Sequence, residues 1–319
     1  MRATVYKSTG SWYVVKVSDG AKPPDTYKAR MLGKFKIDGL TSTNPIAVGD
    51  EVEIEMENEL ESGVTITKIY DRKNYITRTS PANKHQHHII ASNIDQSLLF
   101  ATIKDPKTSQ GFIDRFLISS ESFHIPTIIV FNKADLYKKK EEEKFEQLKT
   151  MYEGIGYTVK KISVTTNEGV DELKTLLKDK VTLLSGHSGV GKSSFLNKIF
   201  PEMQLKTQDV SGWSGKGMHT TTFAEMYDLP AGQAGVPFGG KIIDTPGIRE
   251  LGLVDIPKQE LSHYFPEMRA VLNNCQFNNC MHTEEPNCAV KDAVNKNTIA
   301  ADRYISYRNI LDSIDEKKY

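Results

Sequence analysis

The chain has 319 residues, long enough for two or three domains, and 41 Lys and Arg balance 41 Asp and Glu, which excludes a chain-wide basic field for nucleic acid. Met1-Arg2-Ala3-Thr4-Val5-Tyr6-Lys7 lacks the apolar core of a signal peptide and no run approaches a membrane span, so a soluble cytoplasmic protein with no membrane partner is expected. The three cysteines all lie near the C-terminus, which argues against a secreted disulfide framework and points to a metal.

Residues 1–75 read as all-β. Tyr13-Val14-Val15-Lys16-Val17 and Val52-Glu53-Ile54-Glu55-Met56-Glu57 are strand-like runs, with turn signals at Ser18-Asp19-Gly20, Asp38-Gly39 and Val48-Gly49-Asp50. Several short strands in so few residues predict a small closed barrel, with an OB-fold as first choice. Tyr6, Trp12, Tyr13 and Tyr27 can either fill its core or stack on RNA. Glutamate at every second position from Glu51 to Glu61 would repel phosphate, so any RNA contact is expected on another face. Residues 76–93, with Lys84-His85-Gln86-His87-His88, have no Cys, Asp or Glu close enough to complete a metal site and read as a solvated linker.

From Ser97 the rhythm becomes strand then helix. Ser97–Thr102, Pro126–Phe131 and Tyr157–Ile162 are strands, while Gly111–Ser122 and Gly169–Leu177 have helical spacing. Lys138-Lys139-Lys140-Glu141-Glu142-Glu143 opens another helix with opposite charges three and four apart, ordinary support for a solvated face. The alternation predicts a doubly wound, mostly parallel sheet with ligand loops at the strand C-terminal ends. Asn132-Lys133-Ala134-Asp135 follows one strand end. Its Asp135 can accept from guanine N1–H and the N2 amine together, a donor pair that adenine lacks. Asn132 can tie loops together and Lys133 can cover the base face. Ser163-Val164-Thr165, after the next strand, can close over guanine O6 with backbone N–H groups.

Val181-Thr182-Leu183-Leu184 then leads into Gly186-His187-Ser188-Gly189-Val190-Gly191-Lys192-Ser193-Ser194, and a helix follows through Phe195–Phe200. That is G-x-x-x-x-G-K-[ST] in the strand–loop–helix setting it needs. The glycines let successive N–H groups of Gly186, Ser188, Gly189, Val190, Gly191, Lys192, Ser193 and Ser194 face a phosphate chain at a helix N-terminus. Lys192 would bridge the β- and γ-phosphates, and Ser193 would offer its hydroxyl to Mg²⁺. Gly217–Thr222 suits a mobile switch in which Thr221 completes the magnesium shell. Lys241-Ile242-Ile243-Asp244-Thr245-Pro246-Gly247 is a strand ending in D-x-x-G, with Asp244 for the magnesium water shell and the Gly247 N–H for the γ-phosphate. The base-reading loops precede the phosphate loop, and the switches follow it. This order is a circular permutation of the GTPase domain.

Cys275-x₄-Cys280-x-His282-x₅-Cys288 places four soft ligands in a segment short of apolar residues, a tetrahedral set for one structural Zn²⁺. Beyond it, Ala300, Tyr304, Tyr307, Leu311 and Ile314 give a final helix an apolar stripe for packing. Four regions follow: a barrel at 1–75, a linker at 76–93, a permuted GTPase domain at 94–254, and a helical zinc-binding domain at 255–319.

With this order of motifs, the barrel before them and the cysteines after them, nearly the whole chain resembles the RsgA (YjeQ/EngC) family of ribosome-assembly GTPases. The resemblance implies an OB-fold barrel, hydrolysis of GTP to GDP stimulated by the small (30S) ribosomal subunit, and that subunit with its rRNA as partner. The H-T-T-T signature of the family matches His219 to Thr222. Departures are Val164 where alanine is usual, His187 within the phosphate loop, and the acidic barrel strand. After D-x-x-G, Ile248 stands where Ras-type GTPases carry a water-orienting Gln. His219, two residues before Thr221, can orient the water instead, and the resemblance points the same way. An ATP-dependent enzyme is disfavoured by Asp135. A non-catalytic, GTP-dependent rRNA-binding adaptor is the alternative that Ile248 keeps open. A monomer is expected.

Overall fold

The computed structural model describes residues 1–10, 12–17, 25–31, 45–58, 61–79, 87–201, 224–229, 239–245 and 256–314. Its first five strands are β1 (Arg2–Ser8), β2 (Tyr13–Val17), β3 (Thr26–Met31), β4 (Glu51–Asn58) and β5 (Glu61–Ile69). They pair in the order β1-β2-β3-β5-β4, and β4 returns to β1. Only β3 and β5 run parallel, so the sheet closes as the five-stranded OB-type barrel. Strand periodicity explains the glutamates. Val52 and Ile54 join Ala3, Val5, Val15, Ala29, Val64 and Ile66 in the barrel core, while Glu51, Glu53 and Glu55 alternate to the outside. Of the aromatic residues, Tyr13 is core, whereas Trp12 is 42% exposed with the Arg30 guanidinium 4.0 Å above its ring.

The stretch read as a linker contains a two-stranded antiparallel sheet, β6 (Tyr75–Thr79) with β7 (His87–Ser92). Ile76, Ile89 and Ala91 are buried, and Ile76 and Ala91 join the core of the domain that follows. The apolar alternation is real but too short, and too widely split, to announce itself in the sequence. Lys84, His85 and Gln86 of the histidine stretch lie outside the described residues. A buried polar knot fastens this hairpin to the barrel: Arg72 donates to both Asp50 oxygens at 2.6 Å, and Ser92 Oγ donates to Asp50 Oδ1 at 2.5 Å. The chain passes so close that a Cβ on Gly49 would lie 2.2 Å from the Ser92 carbonyl oxygen, and Gly49 has φ +93°.

The central sheet is built by β8 (Gln96–Ala101), β9 (Thr127–Phe131), β10 (Thr158–Lys161), β11 (Val181–Ser185), β12 (Glu225–Asp228) and β13 (Lys241–Asp244). Its order is β10-β9-β8-β11-β13-β12; the first five are parallel and β12 is antiparallel. Helices α1 (Gln110–Ser122), α2 (Lys139–Gly154), α3 (Val170–Thr175) and α4 (Lys192–Ile199) cover it. Strand alternation divides the core. Leu99, Ala101, Ile129 and Phe131 pack with Phe116 and Leu117 of α1 and Phe145 and Leu148 of α2. Leu98, Phe100 and Val130 face the other way, onto Leu173 of α3 and Phe195 and Leu196 of α4. Both faces are covered, as a parallel sheet requires. Lys7 of β1 pairs with Glu225 of β12, which joins the barrel edge to the central sheet. Tyr6 OH and Lys16 Nζ each bond an Asp228 oxygen there, at 2.5 and 2.8 Å.

The C-terminal part holds α5 (Pro266–Arg269), α6 (Ala289–Asn295) and α7 (Ala301–Ser313) around a third core of Leu261, Phe265, Met268, Tyr307, Ile310 and Leu311. The expected stripe on α7 is rotated toward Arg303 and Ile310. Arg303, Ser306, Tyr307, Ile310 and Leu311 are buried, and Tyr304 is half-buried. Arg303, outside the expected stripe, sits against Asp114 and Glu267, which no local pattern reveals. Among the described residues no helix is long and apolar enough to cross a membrane.

Candidate functional site

Parallel register gathers the site. Leu184 lies beside Asp244, Ser185 beside Leu99, and Ala101 and Lys161 both beside Phe131, so the loops after β9, β10, β11 and β13 emerge at one edge of the sheet. Asn132, only 2% exposed, fastens three of them. Its Nδ2 donates to the Val190 carbonyl of the phosphate loop at 2.8 Å, and its Oδ1 accepts from the Val164 N–H at 3.3 Å. The approach is so tight that a Cβ on Gly191, whose φ is +97°, would lie 2.2 Å from Asn132 Nδ2. Lys133 has φ +66°, and its ammonium donates to the Asp105 carbonyl. Asp135 is exposed at the mouth. Buried Ser163 donates from Oγ to Asp135 Oδ1 at 2.6 Å while accepting from the Thr166 N–H at 3.1 Å, which fixes the direction of the carboxylate.

Gly186, Gly189 and Gly191 all have positive φ, and Lys192 begins α4, so the loop wraps around the start of a helix. Lys192 Nζ donates to the carbonyls of Gly186 at 2.7 Å and His187 at 3.0 Å. Burial lowers the pKa of its ammonium, an effect that the nearby Asp244 carboxylate opposes. Burial also raises the Asp244 pKa, while Lys192 pulls it back. The partly buried Lys192 ammonium would attract an entering phosphate more strongly than in bulk water, whereas the Asp244 carboxylate would repel it unless a cation lay between them. Ser188 and Ser194 are exposed, Ser193 is half-buried in the first turn of α4, and Thr245 Oγ1 donates to the Leu184 carbonyl at 3.0 Å. His219, Thr221, Gly247 and Ile248 lie outside the described residues.

Far along the chain, Cys275, Cys280, His282 and Cys288 bring one ligand atom each to within 4.8 Å of one another. His282 Nδ1 is 3.6 Å from Cys275 Sγ and 3.3 Å from Cys288 Sγ, and those two sulfurs are 4.0 Å apart. A tetrahedron with metal–sulfur bonds of about 2.3 Å has edges of about 3.8 Å, so the cluster fits a metal ion. Burial pushes the Cys280 thiol up to about 12 and lowers the His282 pKa; ligation would therefore displace thiol protons. Helix α7 braces the knuckle, with Tyr304 OH donating to the His282 carbonyl at 2.6 Å and Tyr307 OH to that of Met281 at 2.8 Å.

Two contacts were invisible in the sequence. Asp114 bonds Arg303, 189 positions away, at 2.6 Å, and Phe112 lies on the ring of His187 with centroids 3.6 Å apart. The departure at His187 was the only hint, since a phosphate loop has no need of an aromatic ring.

A doubly wound sheet whose G-x-x-x-x-G-K-[ST] loop follows its Asn132–Asp135 loop defines a circularly permuted P-loop GTPase. Residues 3–64 match the RsgA N-terminal domain, and residues 69–254 match the RsgA GTPase model. The small ribosomal subunit biogenesis GTPase RsgA of Flavobacterium psychrophilum is 50% identical over 320 residues, covering 99% of this chain and 94% of the relative. That of Cytophaga hutchinsonii is 51% identical over 311 residues, covering 98% of each. Among solved structures, YjeQ from Thermotoga maritima superposes with a TM-score of 0.74 at 34% identity, covering 97% of this chain and 96% of that one. YloQ, described as a circularly permuted GTPase, gives a TM-score of 0.71 at 27% identity, covering 100% and 96%. The chain belongs to the RsgA GTPase family.

Proposed function

We propose that this protein hydrolyses GTP in the cytoplasm during maturation of the small ribosomal subunit, with its nucleotide state coupled to binding of that subunit and its rRNA. The observation that carries the nucleotide half is Asn132, whose amide joins the loop after β9 to Val190 of the phosphate loop and Val164 of the loop after β10. The ribosomal half is supported by the names of the full-length relatives.

In this reading Asp135 accepts from the guanine edge, Val164 closes over O6, and Lys133 covers the base. The phosphate-loop N–H groups from Gly186 to Ser194 and the Lys192 ammonium hold the phosphate chain. Ser193, Asp244 and Thr221 serve the magnesium shell, where Mg²⁺ would neutralise charge building on the phosphate oxygens. The Gly247 N–H would meet the γ-phosphate. His219 orients the attacking water in place of the Gln that Ile248 replaces. Cys275, Cys280, His282 and Cys288 hold one structural Zn²⁺, since three thiolates and one imidazole suit zinc and leave no ligand position open. The protein acts as a monomer.

The test is multiple-turnover GTP hydrolysis with and without small subunits, on the natural chain and on His219→Ala. The reading expects subunit-stimulated turnover, and a fall of about 10² or more in His219→Ala with GTP affinity kept within a few fold. Subunit binding that depends on GTP without any turnover would establish the adaptor reading instead.

A further inference from the structure

Helix α1 touches the phosphate loop and the C-terminal part on different faces. In its first turn the Phe112 ring lies on the His187 ring, centroids 3.6 Å apart and planes 32° from parallel. His187 is a phosphate-loop residue whose carbonyl accepts from Lys192 Nζ at 3.0 Å. Two residues further along a helix is a rotation of about 200°, so Asp114 faces away from that contact. Asp114 Oδ1 accepts from Arg303 Nη1 at 2.6 Å and from Tyr152 OH at 2.8 Å. Arg303 in turn donates to Glu267 from Nε at 2.7 Å and from Nη2 at 3.2 Å. The same side of α1 continues the contact. Arg115 Nη2 donates to Ser313 Oγ at 3.0 Å, Ile118 is part of the C-terminal core, and Glu121 Oε2 accepts from Arg269 Nη1 at 3.2 Å. Helices α5 and α7 therefore grip α1 over two turns.

Arg303 is 1% exposed and Asp114 0%. A buried ion pair adds little stability over apolar packing, and its best-attested use is to fix register. The planar guanidinium, held by two carboxylates, sets both the height and the rotation of α1. We propose that Phe112 and Arg303 are positioning residues for the phosphate loop: the C-terminal domain fixes α1, and α1 holds the His187 backbone and, through it, the Lys192 ammonium. Phe112 acts through the His187 ring and Arg303 through Asp114 of α1. The proposal rests on the GTPase reading and needs no ribosomal partner.

The test measures release of methylanthraniloyl-GDP from the full-length protein alone. Phe112→Ala should accelerate release about fivefold, the scale of a contact coupling near 1 kcal/mol, and Phe112→Tyr should restore the natural rate by keeping the ring. Asp114→Asn combined with Arg303→Met removes the grip without stranding a charge. It should accelerate release similarly, and adding Phe112→Ala should bring little more. If that pair does not fold, as thermal unfolding would reveal, Arg115→Ala with Arg269→Ala loosens the same side of α1 from its edges and should show a smaller effect with the same lack of additivity. A natural release rate in folded Phe112→Ala, or full additivity between the two contacts, overturns the proposal. A natural chain that does not bind GDP removes the GTPase reading and this inference with it, whereas normal binding with unchanged release removes the inference alone.

Discussion

Asp135 is where the choice of base is expected to be made, and Ser163 already aims its carboxylate at 2.6 Å. Asp135→Asn should cost two charge-assisted hydrogen bonds to guanine, about 1.5–3 kcal/mol each, and improve xanthosine triphosphate, whose C2 carbonyl accepts from the new amide. Equilibrium titration with both nucleotides checks this; an unchanged GTP affinity would mean that the loop does not read guanine. Arg303 makes a different kind of prediction. Arg303→Ala leaves Asp114 and Glu267 buried without their cation and should cost about 3–5 kcal/mol in denaturant unfolding of the C-terminal part. The loops that gather at the strand ends were legible because each motif is local in the sequence, as Asn132–Asp135 and Gly186–Ser194 are. Arg303 and Asp114 were not, because 189 positions separate them and a charged residue on a helix ordinarily reads as solvated.

At the scale of the element, the strands that lead into nucleotide loops were clear from short apolar runs: β9 and β11 lie within one residue of the runs that announced them. The hairpin of β6 and β7 was lost because its inward residues, Ile76, Ile89 and Ala91, are too few to outweigh the polar stretch between the strands. The α7 stripe was half legible, since Tyr307 and Leu311 are buried as expected while Arg303 takes a core position. In the knuckle, four side chains that could hold a metal ion converge within 4.8 Å, Cys280 and Cys288 join the third core, and two tyrosine hydroxyls from α7 hold its carbonyls. Elemental analysis should therefore find about one zinc per chain. Cys280→Ser should lose the metal and melt the C-terminal segment first, visible as early hydrogen exchange in α7. Iron in place of zinc, or metal retained by that variant, would contradict the assignment.

For the whole molecule, permutation changes what the GTPase domain is joined to. β12, the strand after the Thr221 segment, pairs with β1 of the barrel through Lys7 and Glu225. The chain beyond Asp244 runs on into the part that carries the Cys275, Cys280, His282 and Cys288 cluster, and that part grips α1. The barrel is thus fastened to the edge strand of the central sheet by strand pairing, and the C-terminal part to α1, which touches the phosphate loop, by a buried ion pair. A domain fastened in this way can favour one nucleotide state only if its contacts differ between the two. The most direct measurement is the affinity of the protein for purified small ribosomal subunits, by sedimentation, with a non-hydrolysable GTP analogue and with GDP. The account predicts tighter binding with the analogue by about 1–3 kcal/mol, and by reciprocity tighter analogue binding in the presence of the subunit. Equal affinity in the two states would contradict it.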